Sequence, residues 1–292
     1  MKATVIGLGS IGWGAAVSLV RGGIVTTGYD VVEDTLHRFE AAGGQSAHSP
    51  AEAAAQADVV FVFVVNAQQA QSVLFGTRGA VSAAPLGTVF VLCTTVAPAE
   101  AQRLAADLTA AGMGVLDAPV SGGAATAESG DLMMIASGAD KAFQTAGPAL
   151  DAVASKVHRL GGQPGTGSKM KMINQLLAGV HIAAMGEAMV LAQREGLDLD
   201  QVYDVIKTGT GVSWMFESRG RQVISGDYMP TSGVDVLVKD LGIVDQTAAD
   251  LDLPLAQAAL SLFTETSEAG LGAEADAAVA KTIAKKAGVV LP

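Results

Sequence analysis

A single cysteine, Cys93, excludes any internal disulfide in this chain of 292 residues and fits a reducing compartment. Charge is scarce as well. Lys and Arg number 18 against 29 Asp and Glu, a formal net charge of −11 that argues against nucleic acid or an anionic membrane surface as partner. No His, Cys, Asp or Glu cluster has metal-ligand spacing, so no metal is expected. Neither a G-x-S-x-G elbow nor a carboxylate pair suggests hydrolysis, and no internal repeat, low-complexity tract or charge run stands out. Because 50% of the residues are hydrophobic and only 16% are charged, some apolar surface is expected to be buried between subunits, in a homodimer or homotetramer. The N-terminus passes from Met1-Lys2 straight into a strand-like segment without a cleavable signal pattern, so a cytoplasmic protein with no membrane partner is expected.

Glycine, by contrast, is plentiful at 35 residues, and its placement carries the first functional signal. The β-branched run Ala3–Ile6 leads at once into Gly7-Leu8-Gly9-Ser10-Ile11-Gly12 and then the helical Ala15–Val20. In a strand–turn–helix context the first glycine permits the turn, the second lets backbone approach a pyrophosphate, and the third lets helix pack on strand. A second strand, Val25–Tyr29, ends in Asp30, placed to accept hydrogen bonds from the adenosine ribose hydroxyls. Its charge also repels a 2′-phosphate by on the order of 4 kcal/mol at about 4 Å and an effective dielectric near 20, so NAD is favoured over NADP.

Helical stretches at Thr35–Ala42 and Pro50–Gln56 precede Asp58–Val65, a uniformly apolar run suited to a central parallel strand covered on both faces. Its end, Val64-Val65-Asn66, should lie at the carboxyl edge of the sheet, where open α/β sheets bind ligands. A helix near Ala67–Leu74 and a strand Thr88–Cys93 follow. After them come Thr94-Thr95, whose hydroxyls either serve a ligand or cap the helix that starts near Pro98. The helix Ala99–Ala111 and strand Gly114–Leu116 lead to Asp117-Ala118-Pro119-Val120-Ser121-Gly122-Gly123. There a hydroxyl and consecutive backbone N–H groups can receive a carboxylate, or the glycines simply make a turn. Strands at Asp131–Ser137 and Lys156–Leu160, around the helix Asp140–Ala154, complete an alternating α/β dinucleotide-binding domain over residues 1–162.

From residue 163 to 292 no strand is expected, and the helices Asp198–Lys207, Ser213–Ser225, Val234–Leu251, Pro254–Ala269 and Glu274–Ala287 make an all-helical second domain. A long helix joins the two. It begins after Gly165-Thr166-Gly167, and between Met172 and Gly186 its only ionisable group is His181, so it is expected to be packed on all sides. In its first turns Lys171, Asn174 and Gln175 fall at i, i+3 and i+4, which sets an ammonium and two amides on one face, suited to an anionic, hydroxylated ligand. Late in the chain, Lys239-Asp240 interrupts an apolar helix; the lysine either reaches a cofactor or belongs to a salt-bridged pair. His181 reads as a core histidine. Trp214 and Phe216 are either core or readers of distal ligand hydroxyls.

Taken in order, Gly7–Gly12, Asp117-Ala-Pro-Val-Ser-Gly-Gly123, Gly165-x-Gly-x-x-x-Lys171-x-x-Asn174-Gln175 and Lys239-Asp-Leu241 resemble the motifs of the β-hydroxyacid dehydrogenase family. Asn66-Ala-Gln-Gln69, Leu177–Ala184, Ser213–Phe216 and Gly226-Asp-Tyr228 are similar to the branch of that family that acts on L-threonate. The resemblance implies an N-terminal Rossmann domain joined by the long helix to an all-helical C-terminal substrate and dimerisation domain. It also implies NAD-dependent oxidation of the 2-hydroxyl of a four-carbon sugar acid, L-threonate, to 2-dehydro-L-erythronate. The alternatives within the family are 3-hydroxyisobutyrate and tartronate semialdehyde as substrates. A catalytically silent dinucleotide-binding module would be marked by loss of the lysine, which is present here. Carried over by residue, Lys171 is the acid/base, and Ser121, Gly122, Gly123, Asn174 and Gln175 hold the substrate. Gly7, Leu8, Gly9, Ser10, Ile11, Gly12, Asp30, Val64, Val65, Asn66, Thr95 and Lys239 contact the cofactor.

Overall fold

The computed structural model describes residues 1–230 and 232–292. Its strands are β1 (Lys2–Ile6), β2 (Val25–Tyr29), β3 (Gln45–Ser46), β4 (Val59–Val62), β5 (Val89–Leu92), β6 (Gly114–Asp117), β7 (Val120–Ser121), β8 (Leu132–Gly138) and β9 (Ala154–Arg159). Its α-helices are α1 (Ser10–Arg21), α2 (Glu33–Ala41), α3 (Pro50–Ala54), α4 (Ala67–Phe75), α5 (Pro98–Ala110), α6 (Ala124–Ser129) and α7 (Asp140–Val153), then α8 (Thr166–Arg194), α9 (Leu199–Ile206), α10 (Trp214–Ser225), α11 (Val234–Thr247), α12 (Pro254–Thr266) and α13 (Val279–Ala287). By packing, the chain divides into Met1–Lys171 and Met172–Pro292, so the division falls inside α8.

In the first unit the strand order is β3-β2-β1-β4-β5-β6-β8-β7, with β9 beside β8. The strands from β3 to β6 are parallel, and β8 then runs antiparallel to β6. Strands β4 and β5 are buried along their whole length, as their unbroken apolar runs require. Their side chains alternate. Val59, Phe61, Val89 and Val91 join Ala15, Ala16 and Leu19 of α1 in one core layer, while Val60, Val62, Phe90 and Leu92 meet Leu104 and Leu108 of α5 in the other. The register is what matters for function. Ile6 pairs with Tyr29 and Val62, Val62 with Leu92, and Leu92 with Asp117, so the residues that follow these five strands emerge along one carboxyl edge. The order in which strands are added reverses between β1 and β4, the switch point at which open sheets of this order bind ligands.

Among the described residues the second unit contains no strand, only the isolated bridge between Gly233 and Ala275. Its core gathers Ile182, Met185 and Met189 of α8 with Tyr203, Phe216, Leu237, Leu241, Phe263 and Val279. Tyr203 and Phe216 stack with centroids 5.8 Å apart. Gly179 lets Leu241 approach α8, because a Cβ there would stand 2.8 Å from its Cδ1.

Several sequence expectations are corrected here. The helix expected to run to Leu251 stops at Thr247, and the one expected to reach Ala269 gives way after Thr266 to a π turn containing Gly270 at φ +87°. The last helix begins at Val279 after a 3₁₀ turn, Asp276–Ala278, rather than at Glu274. Helix α8 is apolar all round but is not packed on all sides within the chain. Met170, Ile173, Leu177 and Leu191 are 44–52% exposed, and their spacing puts them on one stripe. By length and composition α8 could cross a bilayer, yet 56% of its most apolar window is buried in the protein, as in a core helix.

Candidate functional site

The glycine loop between β1 and α1 tests the dinucleotide reading residue by residue. Gly7 has φ +91°, and a Cβ there would strike the Phe63 carbonyl oxygen; a Cβ on Gly12 would strike the Gly7 carbonyl oxygen. Both glycines are required by the protein's own packing. Gly9 is not, since its φ is −63° and a Cβ would meet nothing within 4 Å. A glycine needed at position 9 is therefore needed by something outside the chain, which suits a pyrophosphate laid against the backbone. Gly9 is also the N-cap of α1, no side chain caps that end, and no acidic residue stands in its first turn, so the helix dipole is open to an anion.

Asp30 sits where β2 ends and braces this loop. Its Oδ2 accepts the Leu8 N–H at 2.6 Å and its Oδ1 the Val32 N–H at 2.9 Å. A carboxylate has about four lone-pair positions, so two remain for ribose hydroxyls. The following residues, Val31, Val32, Glu33 and Asp34, supply no cation, and Val31 is 86% exposed. At the end of β4 the Val64-Val65-Asn66 segment is fixed by a reciprocal cap. Asn66 Oδ1 accepts the Gln69 N–H, and Gln69 Oε1 accepts the Val65 N–H, each at 2.9 Å. Beyond β5, Thr94 is buried and Thr95 half-buried. Ala97 occupies the N-cap of α5, and Glu100 accepts its N–H at 3.3 Å.

The Ser121-Gly122-Gly123 turn leaves β7 with both glycines at positive φ, +142° and +87°. Gly123 then starts α6, a short helix that the sequence reading missed. Its Ala-Ala-Thr-Ala-Glu-Ser composition carries no apolar period, and the signal lies instead on α1. Gly14 and Ser18, one turn apart, form a flat strip on which α6 rests. A Cβ on Gly14 would stand 2.5 Å from the Glu128 nitrogen, and Ser18 Oγ donates to the Ala127 carbonyl at 3.0 Å. The glycine loop and the Ser121–Gly123 turn are thus held to each other through α1 and α6.

Asp117, the last residue of β6, is 1% exposed and surrounded by donors from the start of α8. Its Oδ2 accepts the N–H of Gly165 at 2.8 Å and of Ser168 at 2.9 Å, and its Oδ1 accepts Ser168 Oγ at 2.6 Å. Ser137 Oγ donates to the same carboxylate at 3.3 Å and accepts the Gly167 N–H at 3.0 Å. Burial pushes the Asp117 carboxyl above the usual carboxylate range, and the Ser168 and Gly165 donors offset only part of that rise. One turn beyond Ser168, Lys171 is buried at 7% exposure. Cys93 is buried too, its thiol pushed up first by burial and then by the Asp117 charge.

In the second unit, Asn174 Nδ2 donates to Gln175 Oε1 at 3.0 Å and Gln175 Nε2 donates to Asp240 Oδ2 at 2.6 Å. Lys239 Nζ forms an ion pair with Asp240 Oδ1 at 2.7 Å. Asp240, which the sequence reading left without a role, therefore ties three expected site residues together. Its carboxylate can only accept, so Gln175 must turn Nε2 toward it and Oε1 toward Asn174. Both ends of the Gln175 amide are engaged, while Asn174 keeps its Oδ1 and one N–H. His181 is half-buried. Phe216 is core, and Trp214 is 59% exposed.

Comparison with known proteins places the fold and sequence in a family. Residues 2–162 match the model of the NAD binding domain of 6-phosphogluconate dehydrogenase, and residues 165–283 match the NAD-binding domain of NADP-dependent 3-hydroxyisobutyrate dehydrogenase. The chain is 48% identical over 291 residues to L-threonate dehydrogenase of Escherichia coli strain K12, covering 99% of this chain and 95% of that one. It is 50% identical over 279 residues to L-threonate dehydrogenase of Cupriavidus necator, covering 95% and 94%. A crystal structure titled 3-hydroxyisobutyrate dehydrogenase, from Salmonella typhimurium, superposes with a TM-score of 0.92 at 47% identity, covering 97% of this chain and 99% of that one. With these motifs, this sheet order and this likeness along its whole length, the chain belongs to the β-hydroxyacid dehydrogenase family and is a nicotinamide-dinucleotide-dependent hydroxyacid dehydrogenase.

Proposed function

We propose that the protein oxidises the 2-hydroxyl of L-threonate to 2-dehydro-L-erythronate with NAD, and that Lys171 is the general base. The observation that carries the substrate is identity of 48–50% along nearly the whole chain to proteins that act on L-threonate. NAD rather than NADP is supported by Asp30 at the end of β2 and by the absence of a cation in the residues that follow it. The dinucleotide, when bound, accepts a hydride from the carbinol carbon. Lys171 takes the hydroxyl proton, a step for which general-base assistance is worth roughly 10²–10⁴-fold. The backbone N–H groups of the Ser121-Gly122-Gly123 turn receive the substrate carboxylate, and Asn174 fixes the hydroxyl. Gln175 stands behind Asn174 and, through Asp240, sets which end of that amide faces the substrate. Lys239 contacts the cofactor. The exposed apolar stripe of α8 is the face we assign to self-association in a homo-oligomer.

The 47% identical crystal structure titled 3-hydroxyisobutyrate dehydrogenase supports a second substrate reading with the same lysine. A panel of L-threonate, 3-hydroxyisobutyrate and D-glycerate, offered with NAD and with NADP and followed by absorbance of the reduced dinucleotide, decides between them. The proposal predicts the highest kcat/KM for L-threonate with NAD. A higher value for 3-hydroxyisobutyrate overturns the substrate, and a higher value with NADP overturns the cofactor.

A further inference from the structure

We propose that Asp117 is a positioning residue that fixes the first turn of α8, and so the height of Lys171 along its helix, relative to the turn that receives the substrate carboxylate; the inference rests on the reading of Lys171 as the general base. The start of a helix leaves several backbone N–H groups without intrahelical partners, and these are ordinarily met by a side chain just before the helix. Here they are met from the sheet. Asp117 accepts the amides of Gly165 and Ser168, and Ser137, itself bonded to Asp117, accepts that of Gly167. Three amides and the Ser168 hydroxyl are thus locked to the ends of β6 and β8 by one buried carboxylate and one buried serine.

The fit leaves no slack. A Cβ on Gly167 would lie 2.5 Å from the carbonyl oxygens of both Asp117 and Ile135, so the helix start is pressed against those strands. Lys171 follows Ser168 by one turn, so it moves with that turn. On the other side, Asp117 is joined to Ser121 by a short segment that is itself pinned, because Ala118 donates to the Leu92 carbonyl and Ile135 to the Pro119 carbonyl, each at 2.9 Å. One side chain therefore couples the base to the carboxylate-receiving turn. A displacement of about 1 Å between reacting groups can cost 10²-fold in rate, so a loose helix start lowers turnover without weakening cofactor binding.

The test compares Asp117→Ala, Asp117→Asn and Lys171→Ala in the full chain, each scored as kcat per NADH-binding site, with sites counted by fluorescence titration. Asp117→Ala is expected to lower kcat per site by about 10²-fold with the NADH dissociation constant unchanged. Asp117→Asn is expected to recover most of the loss, since its one oxygen still accepts the Gly165 and Ser168 amides while its Nδ2 donates to Ser168 Oγ. A merely structural role predicts fewer NADH sites but a normal kcat at each, and that result overturns the inference, as does an undiminished rate. Should Asp117→Ala fail to fold, Ser168→Ala, which removes a single hydroxyl, is expected to show a smaller fall in kcat per site, and no fall overturns the inference. Lys171→Ala separates the two readings. If it is inactive while Asp117→Ala is normal, only this inference fails; if it stays active, the base assignment fails and takes the inference with it.

Discussion

Three glycines in one loop have two different reasons to be there, the protein's own packing at Gly7 and Gly12 and a ligand at Gly9, and substitution separates them. Gly12→Ala drives a methyl into the Gly7 carbonyl and is expected to destabilise the fold severely. Gly9→Ala meets no protein atom and keeps an ordinary φ, so it is expected to retain the wild-type melting temperature while weakening NADH binding. Thermal denaturation and a fluorescence titration check both halves, and tight NADH binding by Gly9→Ala would remove the pyrophosphate from that loop. Asp117 supplies a pH test. Its folded pKa is raised by burial, so its contribution to stability is fully present below the unfolded value near 3.9 and is lost as pH rises through the folded value. Asp117→Asn does not titrate. The melting temperature of Asp117→Asn relative to wild type is therefore expected to shift in favour of the variant as pH rises from about 4; a shift the other way contradicts the raised pKa.

Elements that are buried on two faces were legible in the sequence because burial leaves a continuous mark: β4 and β5 are unbroken apolar runs, and the glycine loop sits where a strand hands over to a helix. Helix α6 left no such mark. Its place is set by the Gly14–Ser18 strip on α1, a long-range fit that no local pattern records. The late helix ends were misjudged for a similar reason. The chain after Thr266 unwinds into a π turn and a 3₁₀ turn, and the latter presents Asp276 to Arg219 of α10. That pair is bidentate at 2.6 and 3.1 Å and has side chains 13% and 1% exposed. Replacing Asp276 by Ala leaves a guanidinium buried without its partner and is expected to lower the stability of the second unit by about 3–5 kcal/mol, read by denaturant unfolding. A loss within about 0.5 kcal/mol would show that the pair does not hold α10 to the turn before α13.

At the scale of the whole molecule, the expected site residues are divided between the two units. The first unit carries the glycine loop, the Ser121-Gly122-Gly123 turn and the buried Lys171; the second carries the Asn174–Gln175–Asp240–Lys239 chain of contacts. The candidate ligands could be named from spacing alone, since i, i+3 and i+4 on one helix fix a shared face, but Asp117 and Asp240 could not. Each acts on a partner far away in sequence, Asp117 on Ser168 and Asp240 on Gln175, and only folding makes those neighbours. Turnover of Lys171→Ala, measured as NADH formation from L-threonate and NAD alongside NADH binding, tests the central claim most directly. The account predicts a rate lower by roughly 10²-fold or more with dinucleotide binding intact; a variant that turns over near the wild-type rate would contradict it.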